Sequence, residues 1–134
     1  MNGVVAVRQL LAAYAPLTTV VPAANIVAGV LPTGTEIPAI SITLVSSVDR
    51  NIPVTGAKRR VFDRVQCTAM ARSYPELRAV LAAAKKACAD AMPTVSGITE
   101  VSILTDGAGP DFMDAEAKFY LGSQDFVVTY NQAA

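Results

Sequence analysis

The side chains able to do chemistry are few in this 134-residue chain, and their spacing excludes most reactions. There is no histidine, which removes His-based triads and imidazole metal sites. Two cysteines, Cys67 and Cys88, are too few for a disulfide scaffold, and their spacing matches no zinc pattern. Strand alternation points Cys67 inward and helical periodicity does the same for Cys88, so both read as buried, reduced packing groups. Ser46 and Ser47 lack the flanking glycines of a nucleophile elbow and have no histidine to act as base. Asp111, Asp114 and Glu116 are of the type that binds hard cations, but without an EF-hand spacing they read as a solvated acidic turn. Gly107-Ala108-Gly109 leads into Pro110 and acids, where a phosphate cradle needs a helix N-terminus. No catalytic, cofactor-binding or metal-ligating residue is expected, and the chain does not read as an enzyme.

One concentration of charge stands out: Lys58-Arg59-Arg60, with Arg64 four residues on, preceded by Asp49, Arg50 and Asn51. A solvated strand entrance that guards a sheet edge is one reading of it. Contact with an acidic surface on another subunit is the second. Direct nucleic-acid binding ranks below both, because no aromatic platform is interleaved with the charges. Eleven basic residues balance eleven acidic ones, so the basic excess of a phosphate-gripping protein is missing.

The elements that must position these residues are legible from periodicity. Asn2 is placed to cap a helix from about Gly3 to Tyr14, with Val4, Val7, Leu10, Leu11 and Tyr14 on one face, ended by Pro16. Leu17 to Glu36 reads as an irregular connector with a short extended piece near Asn25 to Val27. Ala39 to Val48 alternates as a half-buried strand, and Ser46 to Lys58 reads as a polar loop. Arg59 to Ala71 is a second strand. Val61, Val65, Cys67 and Ala69 lie on its inner face with Asp63 a polar intruder, and Phe62, Arg64, Gln66 and Thr68 on its outer face. Ser73-Tyr74-Pro75-Glu76 is a capping box opening a helix with Leu77, Val80, Leu81, Ala84 and Cys88 along one side, terminated by Pro93. Strands follow at Ile98 to Thr105, Ala117 to Leu121 and Ser123 to Tyr130, with Gly122 a bulge or kink. The expectation is a single α+β domain over residues 1–134, an antiparallel sheet of about four strands with two helices on one face. No apolar run approaches a membrane span and no basic leader with a cleavage site is present, so a soluble intracellular protein is expected. With 23 Ala and 17 Val against 9 Leu and no Trp, the core is built from small side chains, and a lone subunit is marginally stable.

Read as an ordered pattern, the chain resembles the tail completion, or tail terminator, family of long-tailed bacteriophages. Three stretches carry the resemblance. The first runs from Val7-Arg8-Gln9-Leu10-Leu11 through Leu17-Thr18-Thr19-Val20-Val21 and Ile26-Val27-Ala28-Gly29-Val30 to Ile37-Pro38-Ala39-Ile40. The second is Arg64-Val65-Gln66-Cys67-Thr68-Ala69 followed by Tyr74-Pro75-Glu76-Leu77. The third is Asp114-Ala115-Glu116, Tyr120, and Ser123-Gln124-Asp125-Phe126-Val127-Val128. The connector is longer and richer in proline than the family pattern, and Gly122 interrupts the last strand.

The resemblance implies a virion protein, present in the host cytoplasm during assembly, that forms a homo-oligomeric ring of six. The ring would sit on the last ring of tail tube protein, stop polymerisation and present a surface to the head-side connector or head-completion protein. DNA would pass through its lumen, without sequence-specific contact and with no membrane involved. Asp49, Arg50, Asn51, Lys58, Arg59, Arg60 and Arg64 are the expected contacts to the tube or a neighbouring subunit. Two rivals are another neck component, such as a head-closure or connector subunit, and a small ligand-binding regulatory domain with a pocket lined by Tyr14, Phe62 or Phe119.

Overall fold

The computed structural model describes residues 2–29, 36–50, 58–109, 111–114 and 119–133. Its helices are α1 (Asn2–Ala13), a one-turn α2 (Ala15–Thr18) and α3 (Tyr74–Cys88), with a 3-10 turn at Ala23–Asn25. The strands are β1 (Ile26–Ala28), β2 (Ala39–Arg50), β3 (Lys58–Ala71), β4 (Thr99–Ala108), β5 (Phe112–Asp114) and β6 (Phe119–Ala133). They form one mixed sheet in the order β1-β2-β3-β6-β4, with β5 pairing the first residues of β6. Only the β1–β2 pair is parallel. The α+β class holds, but the sheet has two more strands than expected and is not purely antiparallel.

Alternation decides which face is covered. Ile40 and Ile42 of β2, Val61, Val65, Cys67 and Ala69 of β3, Val101 and Ile103 of β4, and Phe126, Val128 and Tyr130 of β6 are all buried. They meet Val4, Val7 and Leu11 of α1 and the Leu77, Val80, Leu81, Ala84 and Cys88 stripe of α3. Each large aliphatic or aromatic side chain enclosed here contributes about 1.5–3 kcal/mol. Among the described residues the other face of the sheet carries no helix.

Helix α3 is the element whose local signals suffice. Ser73 accepts a hydrogen bond from the Glu76 amide at 3.3 Å, Pro75 occupies the first turn, and Lys85 and Lys86 oppose the dipole in the last. The return half of the capping box does not form: Glu76 Oε1 is buried without a partner among the described residues.

Four expectations need correction. Asn2 is the first residue of α1 rather than its cap; the Gly3 amide donates instead to Asp63, 3.0 Å away on β3. The described part of the connector carries α2 and a 3-10 turn that were not expected, ahead of the extended piece expected near Asn25 to Val27, which is β1; Pro16 opens α2 rather than closing α1. Ser46 to Arg50 continues β2 and Lys58 begins β3, because cross-strand pairing resumes after a bulge between Leu44 and Ser46; residues 51–57 lie outside the described set. Gly122 is no bulge, since β6 pairs with β3 without a register shift from Tyr120 to Ala133. A Cβ at Gly122 would lie 2.7 Å from Asp111 Oδ1 and 2.9 Å from Leu81 Cδ1, so the glycine is there for close packing under α3.

Candidate assembly surface

The basic cluster is divided by the pleat of β3. Arg60 and Arg64 stand on the helix-free face, Arg59 on the opposite side. Arg64 is held by two carboxylates: its Nε is 3.0 Å from Asp106 Oδ2 on β4, and its Nη2 is 2.9 Å from Asp125 Oδ2 on β6. The hydrogen bond to Asp125, then the Asp106 charge, raise the pKa of Arg64. Arg60 donates to the Glu100 carbonyl and to Asn131 Oδ1, both at 3.2 Å, and Asn131 in turn donates to Glu100 Oε2 at 2.7 Å. Arg59 makes a looser, exposed pair with Asp49 at 3.8 Å. Arg50 faces Arg60 in register at the end of β2, and Lys58 faces Ala133 at the start of β3. Asn51 lies outside the described residues.

The cluster is thus tied to its own sheet. Arg64 and Arg60 each bridge β3 to residues beyond β6, which fixes β4 across the helix-free face. Sequence reasoning missed their acceptors, Asp106, Asp125 and Glu100. The available signal was one of charge segregation: Asp90, Glu100, Asp106, Asp111, Asp114 and Glu116 fall in a stretch from Ala87 to Ala117 without a single Lys or Arg.

Other singled-out residues serve the fold. Asp111 accepts from Tyr74 Oη at 2.9 Å and from Arg78 Nη1 at 3.3 Å, locking the turn before β5 onto α3, while Tyr74 packs edge-on against Tyr120. The Asp111 hydrogen bond also raises the Tyr74 pKa. Among the described residues no three His, Cys, Asp or Glu side chains cluster as a metal site. Cys67 and Cys88 are buried, and that burial raises both thiol pKa values, Cys88 to about 12. Tyr14 packs on the helix side while Phe62 lies on the helix-free face, so the pocket of the ligand-binding rival is not assembled from them. A shallow cleft of about 560 Å3 does lie along α1, lined by Val5, Arg8, Gln9, Ala12, Ala13 and Ala28.

Some of the exposed apolar residues lie on strands. β2 is exposed from Leu44 to Asp49, including Leu44, Val45 and Val48, and β4 is exposed from Leu104 to Ala108. Exposed strand edges of this kind are surfaces on which another chain can pair. The chain matches the family described as Tail completion protein gp17 over residues 5–131 and belongs to it. It is, by that membership, a structural protein of the virion tail or neck. A similar fold occurs in a chain from the virion of a native gene transfer agent particle: 15% identity, TM-score 0.67, covering 93% of this chain and 91% of that one. No curated protein matches the chain.

Proposed function

We propose that the protein caps the head-proximal end of a phage tail tube as a closed ring, six subunits in number, that stops tube polymerisation and provides the head–tail joining surface. Membership of the tail completion family across residues 5–131 carries this reading. The fold agrees with it physically. A subunit whose strand edges are exposed among the described residues gains stability by burying them against neighbours, and a closed ring leaves none dangling. One ring face mimics the end of a tube ring, and the other refuses the next tube subunit.

The partners in this reading are the tail tube protein and a head-side connector or head-completion protein, with DNA passing through the lumen. Residues 51–57 between β2 and β3 and the cluster beside them, from Asp49 and Arg50 through Asn51 to Lys58, Arg59, Arg60 and Arg64, form the contact region. Deleting residues 51–55 tests this assignment: the purified variant is expected to fold, and particles made with it to stay as unjoined heads and tails. An undiminished yield of infectious particles removes that segment from the contact.

A further inference from the structure

The segment that leaves α3 carries two features its local structure does not ask for. Asp90, exposed just past the helix, stands at φ 57°, a left-handed conformation that glycine takes more readily. It also sets a carboxylate at the negative end of the α3 dipole. Two residues on, Met92 is 79% exposed, more than any other large apolar side chain among the described residues. The backbone beneath it is pinned on both sides. The Ala91 carbonyl takes the Ile103 amide of β4 at 2.9 Å, and the Thr94 carbonyl takes Gln9 Nε2 of α1 at 2.9 Å. Met92 is thus a fixed knob tied to the β4 edge, and conformations held against local preference by a rigid surround concentrate at functional sites.

The cleft along α1 has the complementary shape and lies toward the opposite edge. Ala28 of β1 helps to line it, and β1 and β4 are the two ends of the strand order. Its volume of about 560 Å3 holds a methionine side chain together with a small neighbour, and Val5, Ala12 and Ala13 give it apolar walls. Arg8, the charged residue of the lining, donates through Nε to the Ile26 carbonyl at 3.1 Å. That bond fixes the guanidinium and leaves Nη1 and Nη2 without a carboxylate among the described residues. We propose that Met92 of one copy seats in the α1 cleft of the next, with its Asp90 on the neighbour's Arg8. The proposal rests on the ring reading and names a contact that holds the ring together.

Charge selects a second copy as the occupant. The cleft asks for an anion beside an apolar group, and Asp90-Ala91-Met92 displays that pair on one strip of anchored backbone. Glu100, Asp106, Asp125 and Asp111 are taken within the subunit by Arg60, Arg64 and Arg78. Asp90 carries no such cation among the described residues, so its carboxylate and the Arg8 guanidinium are both free to pair between copies. Methionine suits the knob, being flexible enough to fill an irregular cleft and enriched where proteins meet. Knob and cleft are different surfaces on opposite sides of the subunit, so the contact is head-to-tail. A head-to-tail contact passes from subunit to subunit and closes as a ring.

Cysteine cross-linking of the full chain tests the contact. Met92→Cys and Ala13→Cys place thiols on the knob and in the cleft, while native Cys67 and Cys88 are buried and do not compete. Under a copper–phenanthroline oxidant the double variant is expected to give a ladder of covalent multimers on a denaturing gel, ending at the ring mass, and each single variant only monomer or dimer. Met92→Asp is expected to lower the ring population about tenfold or more at fixed concentration. Its urea midpoint should stay unchanged, because so exposed a side chain touches little of its own subunit. Arg8→Glu is expected to lower the ring population likewise, and Asp90→Arg in the same chain to restore it. A ring seen by native mass spectrometry that gives no ladder and is indifferent to Met92→Asp overturns the contact and leaves the ring standing. A ladder that stops at the dimer overturns the head-to-tail arrangement. Absence of any ring from the unsubstituted chain across the concentration series, alone and with tail tubes, overturns both.

Discussion

Asp63 shows how one buried carboxylate joins distant parts of the chain. It is fully buried on β3 and accepts from the Gly3 amide at 3.0 Å, Tyr130 Oη at 2.8 Å and Ser47 Oγ at 2.5 Å. It thereby satisfies an N-terminal donor of α1 that a local cap ordinarily takes. The alternation of β3 already placed Asp63 inward among apolar neighbours, but its partners sit 16, 60 and 67 residues away, and no local pattern reports them. Gly3 was illegible for the same reason: a Cβ there would lie 2.7 Å from Asp63 Cβ. Replacing Asp63 by Ala strands buried donors and is expected to cost about 3 kcal/mol or more, read as a shift in the urea midpoint. A midpoint within error of the unsubstituted chain contradicts the role given to this carboxylate. The buried thiols make a separate, pH-linked prediction. Burial raises Cys88 to about 12, and raises Cys67 and Tyr130 as well, whereas an unfolded thiol ionises near pH 8.5. Above that pH the unfolded chain releases protons that the folded one retains, so stability is fully present below about pH 8.5 and falls as pH rises toward 12. Urea titrations at several alkaline pH values should show this decline, and Cys88→Ala should make it shallower.

Among the elements, α3 was legible down to its buried stripe because capping residues, helical spacing and a following proline all agree within a single segment. β2 was legible only as far as its bulge. Past Leu44 the two-residue alternation breaks, and the polar run Ser46-Ser47 resembles a turn until β3 is there to pair with it. Within the connector, β1 is the extended piece expected near Asn25 to Val27; what no local propensity encodes is its parallel pairing with Ile40–Ile42. Gly122 in β6 was noticed as an interruption, yet its cause is the approach of Leu81 and Asp111 from outside the strand. Gly122→Ala is therefore expected to destabilise the subunit by about 1–3 kcal/mol through overpacking against α3, measured by chemical denaturation. Stabilisation by the added methyl, as alanine gives in an uncrowded strand, contradicts that packing account. The acidic partners of Arg64 and Arg60 come from β4 and β6, so the basic cluster could be seen in the sequence while its acceptors depended on the order of the strands.

For the molecule as a whole, balanced charge hides segregated charge. The basic residues gather around residues 51–57 and α3, the acidic ones between Ala87 and Ala117, and the two groups meet across the helix-free face and at the sheet's outer edges. In the proposed ring, this distribution would help neighbouring copies meet in one orientation. The core itself is built of Val, Ile and Leu around Phe126 and Tyr130, so it is the exposed aliphatic residues of β2 and β4 that leave apolar surface for a neighbour to cover. The sequence carried the class and the family pattern, while the edges that assembly would use became visible only once strand order and register were known. Native mass spectrometry of the purified chain over a concentration series, with tail tubes added in a parallel sample and viewed by negative stain, tests the capping ring most directly. The expected result is a discrete sixfold mass, or ring-shaped density at one end of each tube, with further tube growth stopped. A chain that stays monomeric at every concentration and leaves tube ends bare and still growing contradicts it.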